Sequence, residues 1–352
     1  MISKKHIFIL ALLLSSLFSF SQEKYTISGT ISDKQSNETL IGVSVYIPEL
    51  KAGVNTNEYG FYSLTLPKGN YTIQISYVGY SLISESINLN TNLKNNYSLA
   101  NDENKLEEVV VTGESKYVNQ EIGKINLSIS TIKKMPVVLG EVDVIKSMLL
   151  LPGVTSAGEG ASGFNVRGGG ADQNLILMDE ATIYNSSHVF GFFSIFNPDA
   201  VKDIKLYKGG IPAKYGGRAS SVLDIYQKDG NSNDLHVNGG IGLISSKLLL
   251  EGPIVKDKGA FLVAGRTSYA HLFLKLNEET KDDTAYFYDL NAKLNYKLGE
   301  NDNVYMSGYF GRDVFSLADS FTNIYGNATF NARWNHLFSN KLFSNLSFIY
   351  SD

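Results

Sequence analysis

Few residues in this chain have the types and spacing of a reaction centre. The five histidines, His6, His188, His236, His271 and His336, are scattered, and none falls in a His-Glu-x-x-His or comparable zinc spacing. Cysteine is absent, which removes disulfide frameworks, thiolate metal sites and a lipid-bearing N-terminal cysteine. No nucleophile–base constellation is visible, so an enzyme is the least supported class, and no cofactor is expected. The phosphate-cradle match Gly158-Glu159-Gly160-Ala161-Ser162-Gly163 fails its context. A helix is expected before it, a strand after it, and no strand–helix–strand unit surrounds it. Seven glycines in the eighteen residues 153–170 read instead as tight turns. The chemistry that remains is recognition. Arg167 is a lone cation near a strand end, either paired with a buried carboxylate such as Asp179 or sitting on the surface. The polar-then-aromatic stretch 184–196 holds Tyr184, Asn185, His188 and Phe190, which either touch a ligand or pack a domain apex.

Composition narrows the partners. The 352 residues carry a formal charge of -4, with no basic stripe to neutralise phosphates, so nucleic acid is not expected. Lys4 and Lys5 followed by an apolar run over 7–20 and Ser19-Phe20-Ser21 read as a signal peptide, residues 1–21, for export. That run falls short of the roughly 20 apolar residues a spanning helix needs. No later segment approaches such a span, so insertion in a membrane would be by β-barrel.

Three groups of elements must position these residues. From 25 to 99, period-two runs such as Tyr25-Thr26-Ile27-Ser28-Gly29-Thr30-Ile31 alternate with turns expected at Asp33, Asn37, Gly53, Asn70 and Gly79, predicting a small β-sandwich. A polar, acidic tether follows, then Val109-Val110-Val111-Thr112-Gly113. This run is either an unpaired strand seeking an edge or the closing strand of a neighbouring domain. Next comes a small mixed α/β unit. One helix is expected over 141–151, with Val142, Ile145 and Leu149 on a face and Pro152-Gly153 as its stop. Two short strands follow, around Asn165-Val166-Arg167 and Leu175-Ile176-Leu177-Met178. Asn197-Pro198-Asp199 predicts a further helix start leading into a strand.

From Leu235 on, apolar and polar residues alternate in long runs. Leu290, Ala292, Leu294, Tyr296 and Leu298 interleave with Asn291, Lys293, Asn295 and Lys297, as in a transmembrane β-barrel or any half-buried antiparallel sheet. Sixteen of the 65 residues 286–350 are aromatic, about twice the chain's 12%, as interfacial girdles would require. Short turns are expected at 255–258, 299–303 and 339–341, and longer connections near 276–284 and 318–327. About seven strands are foreseen where a plugged transporter has roughly 22, so the chain is expected to be the N-terminal part of a longer one.

Two resemblances organise these pieces. Gly29-Thr30-Ile31-Ser32-Asp33, Gly42-Val43-Ser44-Val45 and Thr56-Asn57-Glu58-Tyr59-Gly60-Phe61-Tyr62 resemble the carboxypeptidase regulatory-like domain, implying an accessory transthyretin-type sandwich and not a peptidase. Leu151-Pro152-Gly153-Val154, Asn165-Val166-Arg167-Gly168-Gly169, Leu175-Ile176-Leu177-Met178-Asp179, Ile204-Lys205-Leu206-Tyr207-Lys208-Gly209 and Pro212-Ala213-Lys214-Tyr215-Gly216-Gly217-Arg218 resemble, in order, the plug of TonB-dependent outer-membrane receptors. The family usually has Asp-Gly after its second plug strand, where this chain has Asp179-Glu180. Glu107-Glu108-Val109-Val110-Val111-Thr112-Gly113 resembles the family's TonB box, whose partner is the TonB-type periplasmic energy transducer.

The resemblance implies a mainly β chain with five parts: signal peptide 1–21, sandwich 22–100, linker with TonB box 101–114, plug 115–230, and the first strands of an incomplete transmembrane antiparallel barrel, 231–352. It implies Arg167, Gly168, Gly169, Asp179, Gly209, Gly216, Gly217 and Arg218 as structural plug residues. The implied function is energy-coupled import of a siderophore, glycan or peptide across the outer membrane of a Gram-negative bacterium, with the N-terminal domain in the periplasm. The competing readings are a receptor that signals through its N-terminal domain and a secreted β-rich adhesin.

Overall fold

Period-two alternation in the first hundred residues builds two small sheets facing one core. A computed structural model describes residues 23–102, 123–133, 142–158, 163–269, 271–317 and 320–352. The signal-peptide residues and the run Glu107 to Gly113 lie outside the described residues. In one sheet β1 (Lys24–Asp33) lies between β4 (Phe61–Pro67), antiparallel, and β7 (Leu93–Lys94) with β8 (Tyr97–Leu99), both parallel to it. The other is antiparallel in the order β3 (Ala52–Asn55), β2 (Ser44–Ile47), β5 (Gly69–Ser76), β6 (Ile83–Leu89). Ile27, Ile31, Val45, Ile47, Leu64, Ile73, Ile75 and Leu89 fill the space between them. Gly29 is required on β1, because a Cβ there would lie 1.8 Å from the Asn95 carbonyl oxygen that crosses it. Gly53 and Asn70, expected in turns, fall inside β3 and β5.

The central unit is a five-stranded sheet in the order β13 (Ala181–Thr182), β12 (Asn174–Met178), β17 (Ser221–Gln227), β16 (Val201–Tyr207), β9 (Lys124–Ser128). Only the β12–β17 pair is parallel. Two hairpins flank it, β10 (Val154–Ser156) with β11 (Phe164–Val166) and β14 (Ser187–His188) with β15 (Phe193–Ser194). Two sequence expectations are corrected here. The helix covers only Val144–Met148: Asp143 caps it, its Oδ1 accepting the Lys146 N–H at 2.8 Å, so Val142 precedes the cap and Leu149 ends the helix. Glu141 lies outside the described residues. Asn197-Pro198-Asp199 starts a turn and not a helix; the Asn197 side chain accepts the Asp199 N–H at 3.0 Å, its carbonyl accepts the Ala200 N–H, and β16 follows at once. The glycine-rich stretch joins β10 to β11, the two arms of a hairpin, which is no setting for a dinucleotide.

Seven strands form the third part, each antiparallel to the next. They are β18 (His236–Ile241), β19 (Ser245–Val255), β20 (Gly259–Ser268), β21 (Thr284–Lys297), β22 (Asp302–Leu317), β23 (Phe321–Ser339) and β24 (Leu342–Ser351). This sheet is the beginning of a wall. On β21, Leu290 and Leu294 stand 47% and 45% exposed while Asn291 and Lys293 are buried against the central unit, so the polar face points inward. The same division on β23 exposes Phe330 and Trp334 and buries Asn331, Arg333 and Asn335. The β20–β21 connection is long, but the one expected at 318–327 is not. β22 runs to Leu317 and β23 resumes at Phe321, so strand pairing replaces most of that loop. No helix among the described residues is long and apolar enough to cross a membrane.

Candidate functional site

The central unit meets the wall largely through ions and amides, beside a small apolar contact of Ala200 with Leu249, Leu262 and Ala264. His188, at the end of β14, is 1% exposed and stacks on Phe287 with ring centroids 4.1 Å apart. Its Nδ1 lies 2.7 Å from Asp313 of β22 and its Nε2 3.1 Å from Asp289 of β21. Each ring nitrogen thus faces a wall carboxylate. Arg266 of β20 joins the cluster, donating to Asp289 at 2.7 Å and to the Ser194 carbonyl at 2.8 Å. The Val189 N–H donates to the second Asp313 oxygen.

A second cluster surrounds Lys293, whose ammonium lies 3.2 Å from Asp179 and 3.0 Å from Asp229. It also donates to the Gln227 carbonyl at 2.8 Å. Asp179 accepts the Gln227 N–H, and Asn331 donates to the Asp179 carbonyl, so one wall cation and one wall amide read the same plug turn. Of the two readings for Arg167, the structure shows the surface one: Arg167 is exposed at φ +50, and Asp179 is buried on Lys293.

The sandwich closes the third side. Glu58 sits between Lys205 of β16 at 3.4 Å and Lys214 at 3.0 Å. Burial alone would raise this carboxyl, but the two ammonium groups outweigh it and lower Glu58 from 4.5 to about 2. Lys202 of β16 takes Asp229 at 2.8 Å and Glu38 of the sandwich at 3.3 Å. Burial pushes Glu38 up, and the neighbouring Asp229 adds to that push beyond what Lys202 offsets. Asp229 is the ionised member: although burial opposes it, Lys202 and Lys293 together hold it well below the carboxylate range. The Tyr59 hydroxyl donates to Glu180 at 2.7 Å, and the Arg333 guanidinium lies over the Tyr59 ring at 4.7 Å. Phe343, at the start of β24, stacks on both Tyr59 and Phe61.

The remaining foreseen residues fall in three places. Gly168 takes φ +82 and Gly217 φ +83, both conformations that favour glycine, and Gly216 and Arg218 are exposed beside them. Gly169 and Gly209 are close approaches, to Ser220 and to Arg167 and Gly123. Of the foreseen ligand contacts, His188 is buried in the wall cluster and so is not open to a ligand, while Tyr184 is 66% exposed. Asn185 offers its backbone N–H and carbonyl to Asn327 of β23, and the Phe190 side chain lies outside the described residues. Lys293, Arg266, Arg333, Asp289, Asp313, Glu38 and Glu58 were not singled out from sequence. A charge on the inward face of a strand was the available signal, but it does not name its partner. No group of three metal-binding side chains occurs among the described residues.

Comparison with known proteins follows this division. Residues 27–111 match the CarboxypepD_reg-like domain, a span that runs past β8 and through Val109 to Val111. Residues 128–222 match the TonB-dependent Receptor Plug Domain. A TonB-dependent receptor P3 of Formosa agariphila is 28% identical over 129 residues, 37% of this chain and 12% of that protein. The siderophore receptor PirA of Acinetobacter baumannii has the same fold, with TM-score 0.50 and 18% identity over 66% of this chain and 40% of its own. Its namesake from Pseudomonas aeruginosa aligns with TM-score 0.48 and 21% identity, again over 66% and 40%. The chain thus spans less than half the length of these relatives. This chain thus carries a CarboxypepD_reg-like domain, then a TonB-dependent receptor plug domain and an opening run of wall strands with the fold of the siderophore receptor PirA.

Proposed function

We propose that the full-length receptor imports a nutrient of the siderophore, glycan or peptide class, driven by a periplasmic energy transducer that pairs with the strand-forming run Glu107-Glu108-Val109-Val110-Val111-Thr112-Gly113. In this reading the sandwich lies in the periplasm, and the short turns of the wall face it. The observation that carries the proposal is the character of the plug–wall seam. Asp179, Asp229, Gln227 and His188 meet Lys293, Asn291, Asp289 and Asp313, groups that water can solvate when the plug rearranges. An apolar seam of the same extent would expose oil to a wet lumen on every cycle. Pairing by backbone hydrogen bonds explains why a generic β-branched run suffices for the transducer.

The test begins with a strain lacking the receptor, grown on defined iron and carbon sources to find the one it cannot use. The full-length receptor should restore that growth, and a receptor lacking residues 109–112 should not, although both reach the outer membrane. Equal restoration by the two would end the coupling proposal.

A further inference from the structure

The sandwich does more than hang from the plug. It grips one plug strand, β16, by two lysines, the partly buried Lys202 through Glu38 and the buried Lys205 through Glu58. It also touches the short-turn end of the wall. Ser63 donates to the Asn340 carbonyl at 2.7 Å, Lys94 donates to Asn301 at 2.9 Å, and Tyr59 and Phe61 hold Phe343. Cavities of about 10 and 30 Å³ remain along this seam. They hold a water or two and admit no nutrient. Along the part of the seam that the sandwich covers, no passage for a nutrient is left.

The seam is also built to open. Each gripped lysine has a second carboxylate supplied by the plug strand or the segment that follows it. Lys202 keeps Asp229 at 2.8 Å, and Lys205 keeps Asp203 at 3.9 Å. Removing the sandwich therefore strands neither cation, the outcome that makes breaking a buried pair so costly. Glu38 and Glu58 would pass into water. The grip lies beside the tether as well. The backbone of β16 pairs along its other edge with β9, the first described plug strand after residues 103–122, from Tyr207 opposite Lys124 to Asp203 opposite Ser128.

We propose that the docked sandwich is an autoinhibitory latch across the short-turn mouth of the wall, and that it must release β16 before cargo can leave past the plug. This rests on the transport reading above, and the experiment separates the two. Because residues 1–352 contain no cysteine, Ser36→Cys with Ser232→Cys adds the one engineered pair in this part of the full-length receptor, whose single-cysteine variants serve as controls. The Ser232 N–H donates to the Ser36 carbonyl at 3.0 Å across the seam. Ser63→Cys with Asn340→Cys is the second pair should the first not fold.

Disulfide yield after brief diamide treatment of cells is read on a non-reducing gel, and a photocrosslinker at Val110 records transducer binding in the same cells. The yield should be near complete with a protonophore and several-fold lower in energised cells. Adding Glu58→Gln should lower it even with the protonophore. Transducer crosslinking with a yield that never changes would overturn the latch and leave coupling standing. No transducer crosslinking, with a yield indifferent to the protonophore, would overturn both.

Discussion

Glu58 is a single carboxylate whose ionisation depends on the sandwich being docked, because both cations that lower it belong to the plug. Held at about 2 when docked against an ordinary 4.5, it favours docking above pH 4.5 and loses that contribution as the pH falls toward 2. Between pH 7 and pH 3 the loss is about 2 kcal/mol. Thermal scans of the full-length receptor should therefore show a larger acid-induced drop in the sandwich transition for the native chain than for Glu58→Gln. Equal drops would mean that the two lysines do not set this carboxyl. Little of this was legible beforehand. Glu58 stood out only as one residue of the stretch 56–62 that resembles the accessory domain, since its partners lie about 150 residues away on another domain, and no spacing rule connects them. Arg167 and Asp179 illustrate the same limit: the sequence left a pair and a surface arginine equally open, and only tertiary packing gave the anion to Lys293.

At the scale of elements, the β12–β13 hairpin carries the most information. Asp179 and Glu180 take φ +46 and +72, the two left-handed positions of a type I′ turn, where Asp-Gly is the favoured pair. The turn is thus kept without its glycine. Its second residue instead reaches out, with Glu180 accepting from Tyr59 and lying 3.7 Å from Arg333. Glu180→Gly should relieve about 1 kcal/mol of backbone strain in the hairpin while loosening the sandwich. Hydrogen exchange should then slow at 178–182 and quicken at 57–61. Uniform quickening in both places would show that the turn itself depends on the glutamate. Strands were the most legible elements, because alternation by two is visible in any window. The helix was read too long because Val142 and Leu149 keep helical spacing beyond a cap that only Asp143 marks. Asn197-Pro198-Asp199 has the residues of a helix start, yet the same capping geometry serves a turn when a strand follows immediately.

For the molecule as a whole, the wall's inward face decides how far the parts depend on one another. Asn291, Lys293, Asn331, Arg333 and Asn335 are buried against the plug or near the sandwich, but all of them can be hydrated. Removing residues 115–230 from the full-length receptor should leave a wall that still folds, seen as heat-dependent mobility on a gel. Lys293→Met with the plug present should cost more than that deletion does at the seam, because Asp179 would lose its cation in a dry place while Asp229 keeps Lys202. A wall that fails to fold without its plug would contradict this division. The three-part order of the chain was readable in advance through composition shifts and motif order. The way the parts lock together was not, since it resides in pairs such as His188 with Asp313 that only the folded chain brings close.

The shared cation also bears on assembly order. Lys293 on β21 is matched by Asp179 in the plug and by Asp229 in the segment between plug and wall, both earlier in the chain. As the exported chain folds from its N-terminal side, the counterions of β21 precede it in the sequence. The plug can therefore template the lumen side of each arriving strand, with Asp289 then Asp313 taking up a histidine already in place. A wall closing around its plug in this way never has to admit a finished globule through a finished ring.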